Sequence, residues 1–368
     1  GAQNVAMGDS SLSTNSTGSR NTANGHSSLT SNTTGSNNTA VGHSSMLLNT
    51  TAHNNTAMGY FVLEKNQTGS ENVSIGTESM LANTSASENT AVGYRALFSN
   101  TTGHSNVAIG AYALDANTTA TEGTAVGYMA LSANTTAQEN TAVGKFALQS
   151  NTTGEGSTAV GKDALRSLTT GSGNVAVGID AATGLTTGGT NTCIGIQAGE
   201  DLTTGSNNLF LGHNAGRATA PGGTHVTASN RIVFGDNSIT NAHIKVSLDV
   251  TSDERDKADI TDFTKGLDIV NSLRPVTYKW DMRSDYSNDL SATPDGTYKK
   301  NKVEIGLIAQ EVEAVEKANG YAANENNRLF ISKSMDGLNY GLKYERLVPV
   351  LINAIKELSV KVTALEAG

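Results

Sequence analysis

The chain has 368 residues, 25 Lys and Arg against 34 Asp and Glu for a net charge of −9, 39 glycines and one cysteine. An acidic balance without a basic block excludes a partner held mainly through phosphates. No run reaches the ~18 apolar residues of a membrane span, and one cysteine rules out a disulfide framework within the chain. From the N-terminus, a triplet of a small residue, an apolar residue and Gly recurs every seventeen residues, departing only at Asn24 and Phe210, with its glycine at Gly8, Gly25, Gly42, Gly59, Gly76, Gly93, Gly110, Gly127, Gly144, Gly161, Gly178, Gly195 and Gly212. A unit this short cannot bury a core alone, so coils must stack.

Each repeat, seen nearly intact over 89–105, holds two apolar patches divided by turn residues. Thr90-Ala91-Val92 alternates as a strand does, and Ala96-Leu97 adds a larger group. The Leu97 position reads Leu12, Leu29, Met46, Leu63, Met80, Leu114, Leu131, Leu148 and Leu165 elsewhere, an interior ladder. The small residues Ala6, Ala23 and Ala40 imply a narrow coil or close contact with a neighbouring chain. Segments such as Asn32-Thr33-Thr34-Gly35 read as turns, with Asn or Gly taking positive φ and Asn side chains stacking between coils. Seventeen residues broken by two turn clusters leave no room for a helix, so the expected fold is a β-solenoid. The Asn-x-Thr sequons follow from the repeat and would accept glycans only in a eukaryotic secretory route.

Cys193 stands where other repeats carry Ala159 or Ala176 and reads as a small buried residue. His26, His43 and His213 follow the repeat glycine, at an outward position shared with Tyr60, Tyr94, Tyr128, Lys145 and Lys162. Ligands one coil apart form a row rather than surround an ion, so neither a metal nor a cofactor is expected. Tyr60, Tyr94, Tyr112, Tyr128 and Phe146 could stack sugars or simply pack coil on coil. No pair of carboxylates among polar groups marks a glycan-degrading site.

The texture changes after Gly212. Residues 1–217 carry 7 basic and 13 acidic side chains, and 252–368 carry 16 and 19. The expected division is a shaft over 1–217, a capping and transition segment over 218–251, and a globular unit over 252–368. An insertion, 219–224, delays the next matching glycine to Gly235, and 241–246 reads as a last capping strand. The chain begins in phase with the repeat, without a capping segment, as the C-terminal piece of a longer protein would.

Within the last unit, 304–309 reads as a buried strand and 310–316 as an amphipathic helix whose Glu311, Glu313 and Glu316 form a solvated face. Val348, Leu351, Ile355, Leu358, Val362 and Leu365 follow the 4-3 spacing of a short coiled coil over 347–366. Taken alone, Val and Ile at one seam position with Leu at the other lean toward two strands. Ser252 can be read as the cap of a helix beginning Asp253-Glu254-Arg255.

Four ordered motifs give another reading of that serine. The run Ser252-Asp253-x-Arg255-x-Lys257, then Leu273-Arg274-Pro275-Val276-x-Tyr278-x-Trp280, Gly306-Leu307-Ile308-Ala309-Gln310-Glu311-Val312 and Leu342-x-Tyr344-x-x-Leu347 resemble the self-cleaving intramolecular chaperone domain of phage endosialidases and tail fibres. The repeats look like those of phage and bacterial tail-fibre-like proteins and are similar to head repeats of trimeric autotransporter adhesins. The resemblance implies a homotrimer in a virion tail fibre, with a host-cell surface receptor as partner, a glycan being one candidate. Charge and hydropathy speak against a nucleic-acid partner and membrane insertion. The resemblance makes Ser252 the nucleophile, Lys257 its base and Thr251-Ser252 the cleaved bond, with Asp253 and Arg255 orienting the site. A serine hydroxyl needs such a base near neutral pH, and a desolvated lysine can supply it. A cell-surface adhesin is the alternative. An ice-binding solenoid is disfavoured, because adjacent threonines such as Thr33 and Thr34 point to opposite faces.

Overall fold

The computed structural model describes residues 1–223, 225–239, 241–245, 252–287, 291–333 and 339–367. They fall into two compact units, Gly1–Asp236 and Asn237–Gly368. The fold is mainly β: a solenoid of 17-residue coils, followed by a small unit of helices and two-stranded sheets.

In the first unit, fourteen three-residue strands among the described residues, from β1 (Val5–Met7) to β14 (Ile232–Phe234), form one parallel sheet ordered as in the sequence. Ala91 pairs with Ala108, seventeen residues on, and this register holds until Phe210 pairs with Val233 across the longer last coil. Each coil is thus completed within one chain. The strand-centre alanines and the Leu97 ladder fill the interior with no exposed surface from Ala23 and Leu29 onward. The coil is narrow because only a methyl group fits opposite the leucine.

Two buried asparagine ladders hold the remaining polar interior. Asn100 Nδ2 donates to Asn83 Oδ1 (3.2 Å) and to Gly103 O (2.9 Å). Asn89 donates its amide N–H to Asn72 Oδ1 (3.0 Å) and its Nδ2 to Gly103 O (3.1 Å). Where the ladders run, each coil satisfies its neighbour's polar groups, without which burial would cost about 1–3 kcal/mol per group. Asn32, the sequon asparagine, is fully buried in the same way, which closes it to modification in the folded chain.

Positive φ falls only in part where the turn chemistry placed it. Gly103 lies outside the left-handed region; a Cβ there would run into Ala120 O of the next coil, so glycine is needed for close approach. The left-handed residues are the repeat glycine (Gly93, φ 138°), those two and four places on, Arg95 (φ 55°) and Leu97 (φ 52°), and the residue two places past the turn-glycine position, Ser105 (φ 58°) here and Asn37 or Asn54 (φ 60°) in earlier coils. For a leucine this backbone costs about 1–2 kcal/mol. Burying the side chain returns about 1.5–3 kcal/mol, and the Leu97 amide donates to Ala113 O of the next coil (3.0 Å). Tertiary stacking decides the dihedral here.

Toward the end of the solenoid the interior is re-cut. The Asn100 column becomes Leu168, Leu185 and Leu202, while the Leu97 column shrinks to Ala182 and Gly199. Cys193 and then Phe210 take the strand centre, both fully buried. A Cβ on Gly199 would lie 2.6 Å from Cys193 Sγ. The volume lost in one column is refilled from another, as close packing requires.

The capping strand expected at 241–246 is not formed. Asn241–Lys245 is non-strand and exposed, and Val246 lies outside the described residues. β14 is the last strand of the sheet. Only the six residues 235–240 separate it from Asn241, far less than the coil needed to bring the chain back alongside.

In the second unit, α1 (Leu267–Ser272) leads to β15 (Val276–Tyr278), antiparallel to β16 (Glu304–Gly306). Then come α2 (Ala309–Ala318), β17 (Ile331–Lys333) antiparallel to β18 (Tyr340–Leu342), and α3 (Leu347–Glu366). Ile269, Val312, Phe330, Ile331 and Val350 make its core. The strand expected to be buried is neither as long nor as covered: β16 has three residues and Ile305 is 79% exposed, since a two-stranded sheet leaves one face open. Nor are the three glutamates of α2 all solvated. Glu316 is buried and accepts the Phe330 amide, while Glu311 meets Arg274. Among the described residues, no helix is long and apolar enough to cross a membrane.

Candidate functional site

At the start of the globular stretch expected from residue 252, the chain makes a single turn of 3-10 helix, Glu254–Asp256. Its cap is Asp253 rather than Ser252. The Asp253 carboxylate accepts the Arg255 amide (2.9 Å) and grips the Arg255 guanidinium, with Nε at 3.0 Å and Nη2 at 2.6 Å. Both interactions hold the Asp253 carboxyl below the usual carboxylate range, the guanidinium contact more strongly. The turn ends at Lys257, whose extended backbone (φ −116°, ψ 142°) sends its side chain back along the turn. Lys257 Nζ donates to Ser252 Oγ at 2.6 Å and to Ser252 O at 3.1 Å.

Ser252 is therefore released from capping and held by a lysine. Five residues apart in sequence, the two side chains meet because the intervening turn is tight and capped. In the opposite protonation pattern, Oγ–H would donate to Nζ, the geometry of a serine beside its base. Both side chains are exposed in the single chain. Thr251, the residue on the other side of the expected cut, lies outside the described residues. Among the described residues no cluster of His, Cys, Asp or Glu is placed to hold a metal ion.

The other motif residues build the scaffold. Tyr344 Oη accepts the Leu307 amide (3.0 Å), and a Cβ on Gly306 would sit 2.7 Å from that same oxygen. The glycine is thus required for the tyrosine to approach. Arg274, two residues past the end of α1, pairs with Glu311 on α2 and holds the Glu311 carboxyl low. Tyr278 packs edge-on against Trp280, ring centroids 5.2 Å apart. The buried Glu316 and its acceptance of the Phe330 amide were not visible beforehand; its place in a run of glutamates gave no sign of burial.

Residues 252–321 match the family model described as chaperone of endosialidase. The match begins at Ser252 and ends just past α2, so the Leu342-x-Tyr344-x-x-Leu347 motif lies beyond it. No curated protein and no solved structure matches the chain. The chain thus carries, after its 17-residue β-solenoid, a C-terminal module of the endosialidase-chaperone type.

Proposed function

We propose that the chain is a trimeric tail-fibre shaft that attaches to a host-cell surface, assembled by a C-terminal chaperone that then cuts itself off between Thr251 and Ser252. The carrying observation is the 2.6 Å contact of Lys257 Nζ on Ser252 Oγ at the first residue of the chaperone match. Two unpartnered faces support the trimer. The outward column of the solenoid sheet is apolar over most of its length, with Met58, Ile75, Ile109, Val143 and Ile194 about 40% exposed. The 4-3 stripe of α3 is uncovered in one chain.

Ser252 Oγ attacks the Thr251 carbonyl carbon while its proton passes through Lys257 to the departing Ser252 nitrogen. The C–N bond breaks, an ester to Oγ forms, and water hydrolyses it to a Thr251 carboxylate and a free hydroxyl. A lysine serves as base when burial disfavours its charge. Since Lys257 is exposed in one chain, its activation belongs to the assembled trimer, so cutting follows assembly.

Expressed intact, the protein should resolve under denaturing conditions into a shaft ending at Thr251 and a 117-residue piece beginning at Ser252. Ser252→Ala should fold, trimerise and remain full length, and Lys257→Ala likewise. A Ser252→Ala protein still cut at Thr251, or a native trimer that stays whole on prolonged incubation, overturns the proposal.

A further inference from the structure

We infer that one corner of the solenoid, built from Tyr94, Tyr112, Tyr128, Phe146 and Lys145, binds a linear acidic glycan. This deepens the reading of the shaft as a receptor-binding fibre and rests on it. Residues just after the repeat glycine leave the sheet and form an edge of each coil. Over four successive coils that edge carries aromatic rings in an unbroken row. Tyr94 to Tyr112 is 5.3 Å between ring centroids, Tyr112 to Tyr128 6.2 Å, and Tyr128 to Phe146 5.5 Å. Successive rings are turned edge to face, at 89°, 90° and 68°. Tyr94 and Tyr128 are 42% and 45% exposed.

Charge separates this edge from the rest of the chain. Over the same coils and the next it holds Arg95, Lys145, Lys162 and Arg166 against Asp115 and Asp163, an excess of two positive charges in a chain of net −9. Both acids are already engaged, Asp115 with Arg95 (3.4 Å) and Asp163 with Lys162 (3.0 Å) and Arg166 (3.2 Å). Lys145 is in no ion pair among the described residues. Its Nζ lies 4.7 Å from the Phe146 ring centre and 5.9 Å from that of Tyr128, an ammonium held over the ring faces.

The occupant must offer apolar patches at a repeat close to one coil, hydroxyls for the tyrosines and regularly placed anions. A linear acidic polysaccharide does so: C–H faces of its pyranoses pack on the exposed Tyr94 and Tyr128 rings while a carboxylate meets Lys145, the Phe146 ring being covered by Lys145 and Arg166. A second copy of the chain fits the aliphatic sheet face better, since docking it here would strip water from Lys145 and the phenol hydroxyls. Single-stranded nucleic acid wants parallel stacking platforms and a cationic groove. These rings stand at right angles and the excess charge is small.

The test uses the full-length trimer in calorimetric and saturation-transfer titrations with oligogalacturonate and hyaluronan octasaccharides. A neutral malto-octasaccharide and an oligothymidylate serve as controls. At least one acidic octasaccharide should bind with Kd of about 1 mM or tighter. Tyr128→Ala should weaken it about tenfold or more, and Lys145→Ala should weaken it and flatten its salt dependence, with Lys145→Arg restoring both. The inference is overturned if neither acidic probe binds better than the neutral one, if the oligothymidylate binds as tightly, or if both alanine variants keep wild-type affinity. Lys145 is exposed, so its variant stays informative should Tyr128→Ala disturb the coil. Whole-cell adsorption separates the two readings: cells that retain both alanine variants like the parent refute this site and leave the fibre standing.

Discussion

Cys193 shows how closely a residue's chemistry follows from its place in the repeat. It stands in the alanine column between Ala176 and Phe210, and burial pushes its thiol up to about 12 from 9.0. The folded chain therefore holds the proton more tightly than the unfolded one. The stability this contributes is complete below 9.0 and is lost as pH rises toward about 12. At pH 8 a thiol reagent should label the protein only once it is denatured; stoichiometric labelling of the native chain would contradict the burial. The sequence disclosed this position because period and column suffice to place a side chain inside. It did not disclose the left-handed backbone of Leu97, because that dihedral opposes leucine's own preference and is set by the next coil's carbonyl. It gave Ser252 and Lys257 as candidates only through a motif, since a five-residue separation becomes a contact only when the Asp253-capped turn folds back.

Among the elements, α3 presents two faces with different tasks. Val350 and Ala354 are buried within the unit, and α3 is fastened there by Glu357, whose Oε2 accepts the Leu267 amide (3.1 Å), and by Asn353, which donates to Phe263 O. The 4-3 stripe lies elsewhere on the helix: Ile355 is 65% and Leu365 82% exposed. A continuous apolar stripe left in water marks an interaction face, which the proposed trimer would cover. Ile355→Asp combined with Leu358→Asp should leave the single chain folded, because neither side chain is buried in it, and should abolish the proposed trimer in sedimentation at micromolar concentration. A trimer that survives the pair would remove α3 as the assembly helix. This element was legible because its periodicity runs through 20 residues. The pairing of β15 with β16 and the missing strand after β14 were not: a three-residue strand is defined by what it pairs with, and local sequence says little of that.

At the scale of the whole molecule, the regularity that makes the solenoid stable also makes it ambiguous. Fourteen strands spaced about 4.8 Å apart give a shaft of roughly 60 Å, long enough to be measured by electron microscopy. Since every coil presents nearly the same outward apolar column, two shafts displaced by one coil keep almost all of their contacts. Packing between shafts therefore selects correct registry only weakly, and a displaced trimer leaves apolar coils exposed at both ends. A unit without repeats, carrying a helix with an uncovered stripe, has no such degeneracy, and joining three of them first would align the chains before the shafts close. On the proposed reading, the self-cut would then remove a device whose work is finished, leaving a shaft in which each inner coil is held on both sides. Residues 1–251 expressed alone should accordingly be insoluble or polydisperse, with shafts of uneven overlap, while the same shaft released from the full-length protein by its own cleavage should remain a uniform trimer. A soluble, monodisperse trimer of uniform length assembled from 1–251 alone would show that the shaft sets its own registry and would remove the need for a chaperone.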